Sequence, residues 1–160
     1  MLTRAADHSA LWGVLAAGAA SVGGTRGRRA AGHGLLAIAV ASATVNGPMK
    51  LLFRRRRPDS PRRLRRMPRT SSFPSGHSAS AFAFALAASR ELPEAGVVLF
   101  PLAAGVAYSR VYLGVHYPSD VVAGGAFGAA VGMATRAALR NLRLDLGAAH
   151  RPVTGRDGAG

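Results

Sequence analysis

Residues 30–53 read AAGHGLLAIAVASATVNGPMKLLF, an apolar run with no Asp, Glu, Lys or Arg before Lys50. A helix needs about 20 apolar residues to cross the hydrocarbon of a bilayer, so this stretch predicts a membrane-spanning helix. Asn46-Gly47-Pro48 predicts a kink within it, because Pro48 has no backbone N–H to donate. Residues 119–139 meet the same length, and shorter apolar blocks at 9–24, 75–89 and 95–109 bring the set to five. Short blocks can still cross where the bilayer thins or their ends lie within protein. Ser75-Gly76-His77 gives the third block a polar start, which is expected to face a cavity rather than lipid. No period-two alternation marks a strand. The expectation is an all-α, integral-membrane helical bundle of about five transmembrane helices.

Composition agrees. At 160 residues the chain is one domain, with 49% hydrophobic residues, 6% aromatics and a formal net charge of +14. In a soluble chain that charge would suggest nucleic acid. Here the arginines fall between and beyond the apolar blocks, as in loops bordering a membrane, so no nucleic-acid partner is expected. The absence of cysteine excludes disulfides and cysteine-ligated metals. Residues 11–20 read as a retained helix rather than a signal peptide. Residues 1–140 form the membrane-embedded unit, and 141–160 a polar tail predicted to be disordered. Gly124 and Gly128 have the small-xxx-small spacing that lets helices approach closely, more simply within one subunit than across a dimer.

Three segments carry the chemistry. Lys50 is the one lysine among twenty arginines, and Arg57 and Pro58 follow it in the pattern K-x6-R-P. If Lys50 ends a helix, the two cations converge on one anion, a point charge beside a planar fork. Nine of the sixteen residues at 54–69 are arginine, and most of these read as a solvated loop attracted to anionic headgroups. The second segment, Pro74-Ser75-Gly76-His77, predicts a turn into a helix. Its N–H groups and the Ser75 hydroxyl suit an anion, and His77 could protonate a leaving oxygen. In the third, Ser109-Arg110 precedes His116 and Asp120, which stand one helical turn apart. A carboxylate on one ring nitrogen makes the other more basic, as a nucleophilic histidine requires. His8, His33 and His150 lack such neighbours in sequence and read as surface residues.

K-x6-R-P, P-S-G-H and S-R-x5-H-x3-D, in this order from Lys50 to Asp120, resemble the signature of the type 2 phosphatidic acid phosphatases. That superfamily also holds bacterial acid phosphatases and vanadium haloperoxidases. The resemblance implies a lipid phosphate phosphatase whose membrane-embedded domain is 1–140. Lys50, Arg57 and Arg110 would hold the phosphoryl oxygens, assisted by Ser75 and the Gly76 amide. His116 would attack phosphorus and become a phosphohistidine, His77 would protonate the leaving group, and Asp120 would orient His116. It implies no metal and no cofactor, since fixed cations take the place of a magnesium ion.

Many membrane members of that family have six spanning helices. With five, a helix preceding residue 1 is missing from the pattern, and a homodimer is one way to seal the bundle. Apart from Lys50, Arg57 and Arg110, nine basic residues fall on each side of the membrane, so charge counting gives no orientation. The density of arginine at 54–69 tips the expectation toward a cytoplasmic site in the cell membrane. The expected partner is a phosphorylated lipid: polyprenyl diphosphate, phosphatidic acid, phosphatidylglycerol phosphate or decaprenyl-phosphoryl phosphoribose. Two other readings use the same features. One is a non-catalytic basic membrane protein that binds anionic lipids, and the other a phosphotransferase that passes the phosphoryl group to an alcohol.

Overall fold

A computed structural model of the chain describes residues 10–59 and 70–149, with side chains to residue 142. It contains five main helices: α1 Ala10–Val22, α2 Gly24–Thr44, α3 Gly76–Ser89, α4 Gly96–Tyr112 and α5 Pro118–Ala149. Beyond Thr44, α2 continues through a π-helical turn, Val45–Met49, into the short helical piece Lys50–Leu52. The predicted kink lies there. Pro48 removes a donor from the ladder, and Gly47 leaves helical geometry at φ −91°, ψ −107°. No strand occurs among the described residues.

The short apolar block that follows the arginine loop explains the architecture. α3 reads GHSASAFAFALAAS, with small residues on every face, and packs against α2, α4 and α5. A helix apolar all round belongs in the interior, and Ala79, Ala81, Ala83, Ala85 and Ala87 are fully buried. Trp12 of α1 closes one side, its ring 5.2 Å from that of Phe84. Ile38, Leu99 and Val106 complete this core. A second cluster joins Ala37, Ala41 and Val45 of the α2 arm to Ala79, Ala83 and Ala87, with Phe127 and Val131 of α5 against it.

α5 lies on α3 at backbone distance. A Cβ at Gly128 would stand 2.0 Å from the Ala79 carbonyl oxygen, and one at Gly124 2.4 Å from that of Ser75. The small-residue spacing is therefore used inside the subunit. Leu35, Leu36, Val40, Val97, Val98, Val122 and Met133 point outward and are exposed, as lipid-facing residues are. Three helical stretches are long and apolar enough to cross a membrane: Gly24–Leu52, Pro93–Tyr112 and Pro118–Leu142. The fourth apolar block thus reaches spanning length, which its sequence limits of 95–109 did not predict. α5 also continues past residue 139 to Ala149, and residues 150–160 lie outside the described residues.

One reading is corrected at the far end of the bundle. His33 is buried, not a surface residue, and its Nδ1 lies 3.4 Å from Glu91 Oε1. Arg136 Nε stands 3.8 Å from the same oxygen, and Arg26 Nε donates to the Glu91 carbonyl at 3.2 Å. These contacts tie α2, the α3–α4 turn and α5 together. His8 and His150 lie outside the described residues.

Candidate active site

Past Leu52 the chain runs without regular structure beside residues 70–75, and hydrogen bonds lace the two together. The Arg55 N–H donates to Ser71 Oγ at 3.0 Å, and the Ser72 N–H donates to the Arg55 carbonyl at 3.0 Å. Ser72 Oγ donates to the Arg56 carbonyl at 3.1 Å. This lacing fixes the Arg57 guanidinium. Its Nε donates to the Thr70 carbonyl (3.1 Å), Nη2 to the Ser71 carbonyl (3.2 Å) and Nη1 to the Val115 carbonyl (2.8 Å).

Nη1 of Arg57 also lies 3.4 Å from Nε2 of His116. A guanidinium can only donate, so Nε2 faces it as the acceptor and the ring proton belongs on Nδ1. On that side Asp120 Oδ2 stands at 3.6 Å, just beyond hydrogen-bond range, so the carboxylate faces Nδ1 without bonding it. Burial pushes the His116 pKa down to about 4, Arg57 and Lys50 add to the fall, and Asp120 opposes it. The ring is therefore neutral at physiological pH. Burial also lowers the Arg57 pKa from its ordinary value, with Asp120 acting the other way.

Asp120 is the hub. Pro118 opens α5, where proline is favoured at a first helical position. Asp120, two residues on, turns back so that Oδ2 accepts the Tyr117 N–H at 2.9 Å, half of a capping box. Its backbone carbonyl accepts the Ser75 N–H at 2.9 Å, joining the start of α5 to the start of α3. The carboxylate is fully buried and its Oδ1 lies 2.8 Å from Arg55 Nη1.

The remaining expected residues stand around this pair. Ser75 caps α3, and its Oγ accepts from the Ser78 N–H at 3.4 Å and lies 3.0 Å from Ser78 Oγ. That hydroxyl faces the first turn of its own helix. Gly76 and the half-buried His77 follow in that turn. A Cβ at Gly76 would meet Asn46 Oδ1 at 3.0 Å. The same oxygen accepts from Lys50 Nζ at 2.9 Å, so the kinked end of α2 delivers Lys50 to the mouth of α3. Its charge reaches both Arg57 and His116. Arg110, 2% exposed, lies in the last turn of α4, and its carbonyl accepts the Val115 N–H at 3.2 Å beside His116.

The structure thus brings the three sequence segments to one end of the bundle. The arrangement offers a neutral imidazole nitrogen facing a guanidinium, a second cation close by, and a helix N-terminus. Among the described residues no three His, Cys, Asp or Glu side chains gather as metal ligands. Sequence reasoning missed Arg55, Asn46 and Ser71. For Arg55 a signal existed: in extended backbone, residues two apart share a side, so Arg55 accompanies Arg57 toward the site.

Comparison with known proteins decides the family. The PAP2 superfamily pattern matches residues 31–143. The chain belongs to the PAP2 superfamily. A PAP2 relative, the decaprenylphosphoryl-5-phosphoribose phosphatase of Mycobacterium tuberculosis, is 47% identical over 88 residues, 52% of this chain and 48% of that one. Its namesake from Mycolicibacterium smegmatis is 38% identical over 129 residues, 77% of this chain and 67% of that one. A lipid A 1-phosphatase from Rhizobium johnstonii is 48% identical over 58 residues, 36% of this chain and 24% of that one. The chain spans about half the length of the M. tuberculosis relative it matches. Among solved structures, a transmembrane PAP2-type phosphatidylglycerolphosphate phosphatase from Bacillus subtilis superposes with a TM-score of 0.65. The match is 26% identical and covers 88% of this chain and 74% of that one. The PAP2 fold and the apolar spans together make this a multi-pass, all-α membrane protein.

Proposed function

We propose that this protein removes a phosphate from a membrane lipid through a phosphohistidine at His116. The observation that carries the reading is the orientation of that ring, with Nε2 toward Arg57 and Nδ1 toward Asp120. A phosphoryl group held by Lys50, Arg57 and Arg110, with the Gly76 amide assisting and Ser75 capping the helix that presents it, places its phosphorus before Nε2. Nε2 attacks, the bond from phosphorus to the lipid oxygen breaks, and His77 donates a proton to the leaving oxygen. Water then cleaves the N–P bond, His77 takes up its proton, and phosphate departs. Electrostatic stabilisation of the transferring group comes from the fixed cations. The donor set is cationic, which suits phosphoryl oxygens rather than a metal ion.

The names of the mycobacterial relatives favour a polyprenyl-phosphoryl sugar phosphate as substrate. The test is phosphate release by the purified chain in detergent, with EDTA present. The panel sets decaprenyl-phosphoryl phosphoribose against a polyprenyl diphosphate, phosphatidic acid and phosphatidylglycerol phosphate. Fastest release from the first, undiminished by EDTA, is the expected result. Equal rates across the panel would reject the substrate, and no release from any lipid by folded protein would reject the activity.

We place the site at the cytoplasmic face of the cell membrane, because the arginine-dense loop at 54–69 resists translocation. Arg54→Cys in this cysteine-free chain should react with an impermeant maleimide only after the membrane is opened. Labelling on intact cells would put the site outside.

A further inference from the structure

Arg55 grips the catalytic carboxylate from the side opposite His116. Its Nη1 lies 2.8 Å from Asp120 Oδ1 and donates to Ser119 Oγ at 2.8 Å. Its guanidinium carbon sits 4.2 Å from the centre of the Tyr117 ring, over its face. The backbone on both sides is held as well, through Ser71 and Ser72. The side chain is 42% exposed, and its Nη1 is shared between Asp120 and Ser119. With Oδ1 taken by Arg55 and Oδ2 held by the Tyr117 N–H, the carboxylate has one setting left, and in it Oδ2 faces His116 Nδ1.

We infer that Arg55 is a positioning residue for the His116–Asp120 pair: it clamps Asp120 so that Oδ2 addresses His116, and its charge tempers the pull of the carboxylate on the ring proton. The inference rests on His116 being the nucleophile. Charged groups face the ring from three elements: Asp120 from α5, Arg57 from the 53–59 segment and Lys50 from the end of α2. Arg55 acts on the ring across Asp120. An Arg clamp on a carboxylate fixes its plane as well as its charge, and outer partners of a reacting group typically matter by about 10–100-fold in activity.

The sign follows. Wild-type His116 is neutral above about pH 4, so the nucleophilic form is lost as pH falls through that value. Removing the Arg55 charge leaves Asp120 less compensated, which favours protonated His116 and moves its titration upward, by about one pH unit. The experiment is histidine NMR of the full chain, ¹⁵N-labelled in detergent, with His116→Ala to assign the resonance. Arg55→Gln, or Arg55→Met where Gln does not accumulate, should raise the titration midpoint. Arg55→Lys should keep it near the wild-type value. In turnover of dioctanoyl phosphatidic acid, the neutral variants should lose about 10–100-fold in kcat with KM within about twofold.

An unmoved midpoint in the neutral variants would overturn the inference and leave Arg55 a structural tie. A rise in KM alone would make it a headgroup ligand instead. If His116→Ala kept its turnover, the nucleophile assignment would fall, and the NMR midpoints would still judge the coupling of Arg55 to His116.

Discussion

His116→Ala is expected to lower phosphate release by about 10⁴-fold or more, with the protein still folded in detergent. The magnitude follows from how catalytic groups act as a unit. Removing a nucleophile leaves only the residual catalysis of binding and charge stabilisation. In the proposed mechanism those residual parts are Lys50, Arg57 and Arg110, which act there as cations holding the phosphoryl oxygens and not as nucleophiles. The ring is 5% exposed but lies in the short link between Tyr112 and Pro118, so its truncation disturbs a loop rather than the α3 core. Steady-state release from the best lipid of the panel, beside a thermal unfolding curve, reads both effects. Turnover within tenfold of wild type would remove His116 from the nucleophile's place.

The second large effect lies in the packing of α5 on α3. Gly128→Ala is expected to cost about 3 kcal/mol or more of stability, at the upper end of what overpacking a close contact does. The added Cβ would sit 2.0 Å from the Ala79 carbonyl oxygen and 2.7 Å from its carbon. Both are backbone atoms of a buried helix, with no rotamer to yield, so α5 has to move away. That movement pulls Asp120 from Ser75, whose N–H donates to the Asp120 carbonyl, and activity falls with stability. Gly105→Ala is the control, since a Cβ there meets nothing within 4 Å; alanine's better helix propensity should leave it unchanged or slightly more stable. Equal thermal unfolding of the two variants in detergent would contradict the close approach of α5 to α3.

The helical blocks were legible because apolar runs and their boundaries are local properties. The block at 75–89 became α3, Gly76–Ser89, and the kink fell at Gly47 and Pro48, where a missing donor and a missing side chain act on their own neighbours. α4 was cut short in the sequence reading at Ser109 because Arg110 resembles a loop residue. The helix continues because that guanidinium is buried at the site end of the bundle. His33 and Glu91 show the opposite limit. They stand far apart in sequence, and nothing local announces that α2 and the α3–α4 turn will bring them together. The pairing of His116 with Asp120 could be read from a spacing of one helical turn. The hold of Arg55 on Asp120 spans the loop and two helices, and in sequence it is one arginine among four.

The central claim is that His116 carries the phosphoryl group. The most direct measurement is a rapid quench of the enzyme during turnover of a ³²P-labelled lipid phosphate, followed by peptide mapping. The expected result is label on the peptide containing His116, stable to alkali and labile to acid, and absent from His116→Ala. Label on another residue, or steady turnover with no phosphoenzyme at any quench time, would contradict the account.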